Sequence, residues 1–269
     1  MRQFKFVAVM FAAIVLAACG GSDNASSNAN ANANSNKIKF SSQVSFGDSL
    51  TDVGTYAVGT IKALGGGKYT INSATAKNWT EVVAAQLDLP APCAAQTGLD
   101  GDAAQGFSVP VTNFPNCTGY AQGGARVTNP VGPGNKQLGG AGATLGLLTV
   151  PVVRQIWNHL AAHGNAFKGD EVVFVMAGGN DLFINLDTLS ASAAAAGTEA
   201  GAAEAANSGA TQQSITDAAQ AAAAAYVQAH AAETVQAMGV AGAELAGYVN
   251  NLILGKGVKY VVVVNLPDA

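Results

Sequence analysis

Apolar positions along the chain fall into two kinds of pattern, short unbroken runs and longer stretches at helical spacing, and the two alternate. From Lys39 to Phe46 the residues alternate and stop at Gly47-Asp48, which predicts a strand ending in a turn. Trp79, Val82, Val83 and Leu87 keep helical spacing behind Asn78 or Thr80 as a cap, predicting an amphipathic helix over 79–89. Val152, Val153, Ile156 and Leu160 predict another. Glu171 to Met176 is a β-rich run that ends at Ala177-Gly178-Gly179, and Lys259 to Val264 is a second, ending at Asn265-Leu266-Pro267-Asp268. Unbroken apolar runs suit strands covered by helices on both faces. The Ala-dominated stretch 191–238 lies between these two runs. Ser214 with Asp217 offers a helix start there, and Ile215, Ala219, Ala222 and Tyr226 carry the period to Gly239. Leu245, Val249 and Leu252 continue helically to Gly255, whereas 190–213, richer in Gly and Ser, reads as a mobile surface insertion. Strand, helix and strand in alternation predict an α/β domain with a mainly parallel sheet.

Composition supports one such domain. The 269 residues are 49% apolar and 11% charged, ample for a core and incompatible with disorder of the whole chain. The net charge of -4, with no Lys/Arg cluster, excludes nucleic acid as an expected partner. Residues 1–18 read as a secretory signal, with Arg2 and Lys5 ahead of an apolar run from Phe6 to Leu16 that is too short to span a bilayer. That run closes on Leu16-Ala17-Ala18-Cys19, which resembles the lipobox of bacterial lipoproteins; an ordinary cleavage site with a chance Cys is the alternative. The resemblance implies acylation of Cys19 and an exported chain held by lipid to the bacterial cell envelope, at the outer membrane. Residues 19–36 hold no aliphatic side chain larger than Ala and read as a flexible tether, so the folded domain is expected over 37–269. Cys93 and Cys117 flank an irregular, Pro- and Gly-containing stretch. In an oxidising compartment they suggest a disulfide, with free thiols or a metal site as alternatives; without nearby His they suit a metal poorly.

The strongest chemical signal is Phe46-Gly47-Asp48-Ser49-Leu50-Thr51-Asp52-Val53-Gly54 at the end of the first strand. A Ser in a turn at the carboxyl end of a parallel strand can present its hydroxyl beside free backbone N–H groups. The segment resembles the nucleophile block of GDSL-type esterases and lipases in the SGNH hydrolase superfamily, and Ser49 matches the nucleophile. Tyr120-Ala121-Gln122-Gly123-Gly124-Ala125 resembles that family's second block and matches Gly124 to a backbone oxyanion donor. Gly178-Gly179-Asn180-Asp181 resembles the third, whose Asn lends its side-chain amide to the same oxyanion, here Asn180. Each block alone is a common turn, but three in order, each at the end of a predicted strand or in a Gly turn, are not.

The resemblance implies a doubly wound, flavodoxin-like sheet, no cofactor and no metal, and cleavage of lipid or acyl esters. Asp48 and Asp52 would then belong to the hydrogen-bonded shell of the turn. It also implies a His three residues after an Asp as general base. His159, His163 and His230 instead follow Ile156, Leu160 and Val227 by three residues, with no acid in relay spacing. The expectation is therefore a C-terminally incomplete hydrolase domain lacking a last strand and helix. The competing readings are a non-catalytic surface lipoprotein that binds through the sheet, and a sugar deacetylase or acyltransferase with the same site.

Overall fold

The computed structural model describes residues 38–68 and 76–267. The signal, Cys19, the tether and Asp268 lie outside the described residues. The chain divides into Met1–Ile38 and Lys39–Ala269, and everything below concerns the second unit.

Three parallel strands form its sheet: β1 (Gln43–Gly47), β4 (Val172–Met176) and β5 (Tyr260–Val263), in the order β1-β4-β5. Every residue of β1 and β4 is buried, as unbroken apolar runs require. Val44 and Phe46 on β1 and Val173 and Val175 on β4 share one face. They pack there against Val152, Ile156 and Leu160 of helix α4 (Val152–Ala162) and against Val249 and Ile253, which follow helix α6 (Gln212–Tyr248). Each such side chain taken out of water is worth about 1.5–3 kcal/mol. On the other face Trp79, at the start of α2 (Trp79–Gln86), meets Phe174 edge to face at 5.2 Å. The unit is thus α/β, a parallel sheet with helices on both faces.

Beyond β1 the segment 118–122 runs alongside without becoming a regular strand. Ser45 N–H donates to Thr118 O at 3.0 Å, Tyr120 N–H to Ser45 O at 2.8 Å and Gln122 N–H to Gly47 O at 3.1 Å. The Cys93–Cys117 disulfide is formed. The stretch it encloses is not an irregular excursion: β2 (Gln96–Asp100) and β3 (Ser108–Asn113) pair there as an antiparallel hairpin with a bulge between Thr97 and Leu99.

The Ala-rich region corrects the expectation of a mobile insertion over 190–213. Helix α5 runs from Gly179 to Ala205, directly out of the Gly178-Gly179 turn, and α6 returns from Gln212. The cap of α6 is Thr211 in a capping box with Ser214, three residues before the expected start, and the helix passes through Gly239 to Tyr248. Ala193, Gly197 and Gly201, spaced at one turn, form the buried stripe of α5. A Cβ on Gly197 would stand 2.8 Å from Ala219 O and one on Gly201 3.4 Å from Ala219 Cβ, so the small residues set the distance between the helices.

Candidate active site

Gly47 closes β1 where side chains have no room, since a Cβ there would lie 2.2 Å from Met176 O. Helix α4 holds this glycine through Gln155. Gly47 N–H donates to Gln155 Oε1 at 2.9 Å, and Gln155 Nε2 donates to Gly47 O at 2.8 Å and Val150 O at 2.9 Å. The chain then turns helically, with Thr51 and Asp52 N–H both donating to Asp48 O at 3.1 Å. Ser49 stands half-buried at the head of this turn.

Asp52 joins the first block to the second. Its Oδ1 accepts from Gly54 and Thr55 N–H at 2.8 Å, and its Oδ2 accepts from Gly123 N–H at 2.9 Å. Thr55 Oγ1 donates to Ala121 O at 3.1 Å and Tyr56 Oη to Gly123 O at 2.8 Å, so the peptide before Gly124 is gripped from one side. Asn180 and Asp181, in the first turn of α5, grip the peptide after it. Asn180 Nδ2 donates to Ala125 O at 2.8 Å; Asp181 accepts from Arg126 Nε and from Val127 N–H, each at 2.9 Å. Between the two grips Gly124 takes φ +78°, and a Cβ would stand 2.3 Å from Pro133 O. Among the described residues its N–H carries no hydrogen bond. Asn180 is buried, and one of its two amide protons goes to Ala125.

The three motif blocks, far apart in sequence, therefore share one hydrogen-bonded cluster. Its electrostatics are those of buried carboxyls. Burial pushes Asp48 up to about 6 against the Leu50 N–H bond that lowers it, and the charge of Asp181 adds to the rise. Burial pushes Asp52 to about 6 as well, opposed by the N–H groups of Thr55, Gly54 and Gly123. Both accept hydrogen bonds from backbone N–H groups of the turn, and among the described residues no group of three or more His, Cys, Asp or Glu is arranged to hold a metal.

The imidazoles stand elsewhere. His159 is buried on the core face of α4, stacked on Phe167 at 4.4 Å and His163 at 4.2 Å, and neither of its ring nitrogens has a partner. Burial, reinforced by the electrostatic influence of His163 and Lys168 beside it, pulls it down to about 3, so it stays neutral. His163 Nδ1 lies 2.9 Å from His159 O. His230 corrects the reading that no acid stands in relay spacing: on α6 its Nδ1 lies 2.9 Å from Glu233 Oε2, three residues on, and its ring stacks on Tyr226.

Sequence reasoning missed Gln155, Arg126 and Tyr56. Gln155 left a signal, a polar residue inside the apolar stripe of Val152, Ile156 and Leu160, where a polar side chain must find partners. The chain matches no family model and no curated protein.

Proposed function

We propose that this domain is a serine hydrolase of carboxylic esters, of lipid or acyl-ester type, built on a doubly wound SGNH-like sheet with Ser49 as nucleophile. The observation that supports it is the cluster itself: a Ser in the turn that ends a parallel strand, the Asp52 carboxylate of that turn accepting Gly123 N–H just before Gly124, and Asn180 and Asp181 bonding Ala125 O and Val127 N–H just after it. In this reading Ser49 Oγ attacks the ester carbonyl and its proton passes to a general base. The charge that develops on the carbonyl oxygen is met by Ser49 N–H, Gly124 N–H and the second amide proton of Asn180. Donors fixed in advance need no reorganisation, and losing one costs about 2.7–4 kcal/mol. Asp48 and Asp52 shape the turn and take no part in proton transfer. Cys19 acylation would hold the domain at the membrane, with lipid or acyl-ester substrates within reach.

A fluorophosphonate probe tests the nucleophile on the full gene product: wild type should be labelled and Ser49→Ala should not. Labelling that persists in Ser49→Ala would place the nucleophile elsewhere. Asn180→Ala should lower turnover of p-nitrophenyl esters by about 10²–10³. An unchanged rate would remove Asn180 from the oxyanion site. One observation favours a second reading: His159 is locked in the core, His163 Nδ1 lies against His159 O and His230 is paired with Glu233 on α6, so each described imidazole is engaged on its own helix or in the core. Failure of wild type to label would favour the non-catalytic binding module. For the anchor, Cys19→Ser should move the protein from the membrane to the soluble fraction; equal partitioning of both forms would mean a simple signal peptide.

A further inference from the structure

A cavity of about 430 Å³ opens between the β2–β3 hairpin and α4, floored by the segment 118–122. Its size falls within the range of about 300–1,000 Å³ typical of small-molecule sites. Five carboxamides line it, those of Gln96, Asn113, Gln122, Gln155 and Asn158, together with the rings of Phe114 and Tyr120. No Asp, Glu, Lys, Arg or His is among the lining residues. Tyr120 adds no charge, because burial pushes its hydroxyl up to about 12.

Three of these amides form a directed relay. Val150 N–H donates to Gln122 Oε1 at 3.0 Å, Gln122 Nε2 to Gln96 Oε1 at 2.9 Å, and Gln96 Nε2 to Asn113 Oδ1 at 2.9 Å. Each acceptor in the chain is occupied, which polarises the next donor and leaves the Asn113 amide nitrogen at the end as a strengthened donor. The Asn158 carboxamide, exposed on α4 opposite, has no protein partner among the described residues and offers both a donor and an acceptor. Phe114 keeps 40% of its surface exposed at the rim, an apolar platform beside these polar groups. A cavity without cations is wrong for phosphate or carboxylate ligands, and one without carboxylates is wrong for amines and metals. An acyl chain would strip water from the amides without replacing its hydrogen bonds, at about 1–3 kcal/mol each. A sugar ring meets all of these demands: it is neutral, with hydroxyls that both donate and accept around its edge and a C–H face that packs on an aromatic ring.

We propose that this cavity is a binding site for an uncharged carbohydrate, a mono- or disaccharide unit, held by Asn113 and Asn158 against Phe114. The site is separate from Ser49 and does not depend on ester hydrolysis. Its inner wall, Gln122 and Gln155, backs onto Gly47, so an occupant would lie behind the turn.

Saturation-transfer NMR on the full chain decides it, with D-glucose, D-galactose, D-mannose, N-acetyl-D-glucosamine, cellobiose, lactose and chitobiose as probes, and octanoate and glucose 6-phosphate as contrasts. Saturable binding of at least one neutral sugar is expected. Phe114→Ala and Asn158→Ala should each weaken it by about tenfold, with melting unchanged because both side chains are exposed. Neither should alter hydrolysis of p-nitrophenyl esters or fluorophosphonate labelling, so failure here and failure of the Ser49 reading are told apart. Absence of saturable binding by every sugar at millimolar concentration would overturn the proposal. So would binding that survives both substitutions, or octanoate competing for the same cavity.

Discussion

At the scale of single residues, the acid that organises the site is Asp52, whose two oxygens accept three backbone N–H groups from two separate segments. Asn in its place keeps one accepting oxygen and turns an amide donor toward one of those segments. Asp52→Asn should therefore release the Gly123 peptide, lower melting by the equivalent of about 1–3 kcal/mol and reduce any ester turnover. Wild-type stability and rate in the variant would refute the link. The same acid gives a pH signature. Asp48 and Asp52 are both raised by burial to about 6, above the 3.8 of an ordinary aspartate, so the folded state binds their protons more tightly than the unfolded chain does. Their contribution to stability is fully present below pH 3.8 and is lost as pH rises through 6. A two-unit rise corresponds to roughly 3 kcal/mol per group. Melting followed from pH 4 to 7 should fall for wild type and should fall less for Asp52→Asn; a flat or rising wild-type profile would contradict the burial of these acids. The glycine turns that carry Gly47, Ser49, Gly124 and Asn180 were legible in the sequence because each follows a strand or loop that local patterning marks, while the roles of these residues belong to the proposal. Gln155 was not, because its partner Gly47 lies 108 residues away and no local period encodes that bond.

At the scale of elements, β1, β4, β5 and α4 followed from their apolar patterns, while the β2–β3 hairpin and α5 did not. Ser, Gly and Ala at 190–205 have the composition of a loop, and Gly in a helix costs about 1 kcal/mol relative to Ala. What makes the stretch helical is tertiary: Gly197 and Gly201 let α6 approach so closely that the two helices cover one another. Glycines on the two helices should therefore respond to Ala in opposite directions. Gly197→Ala would place a Cβ 2.8 Å from Ala219 O and push the helices apart. Gly239, inside α6 with nothing within 4 Å of its Cβ position, meets no obstacle. Gly239→Ala should raise stability by about 0.5–1 kcal/mol, whereas Gly197→Ala should lower both stability and helical circular dichroism. Equal shifts in the two variants would mean that the helices do not pack through this stripe.

At the scale of the whole unit, burial is uneven across the sheet. On one side β1 is covered by the segment 118–122 and every one of its residues is buried; β5, at the other side, keeps 37% of Tyr260, 44% of Val262 and 53% of Val263 exposed. Among the described residues β5 pairs with β4 alone, which leaves half of its backbone groups facing outward. An exposed edge of β-branched residues with no charge, Pro or bulge within the run is a template for another strand. Lys259 stands just before it and cannot interrupt it. The 269-residue chain, freed of its signal, is therefore expected to self-associate with rising concentration, through β5 against β5. Val262→Lys places a charge on that edge without touching the core, since Val262 lies outside the buried cluster. It should shift the protein to monomer in size-exclusion chromatography with light scattering. Leu64→Lys, at a site 82% exposed but far in sequence from the sheet edge, should leave association unchanged. A wild-type chain that stays monomeric at every concentration would show that β5 is protected by something other than charge. Association that persists in Val262→Lys and falls in Leu64→Lys would move the contact to the apolar surface around α1 (Gly59–Ala63).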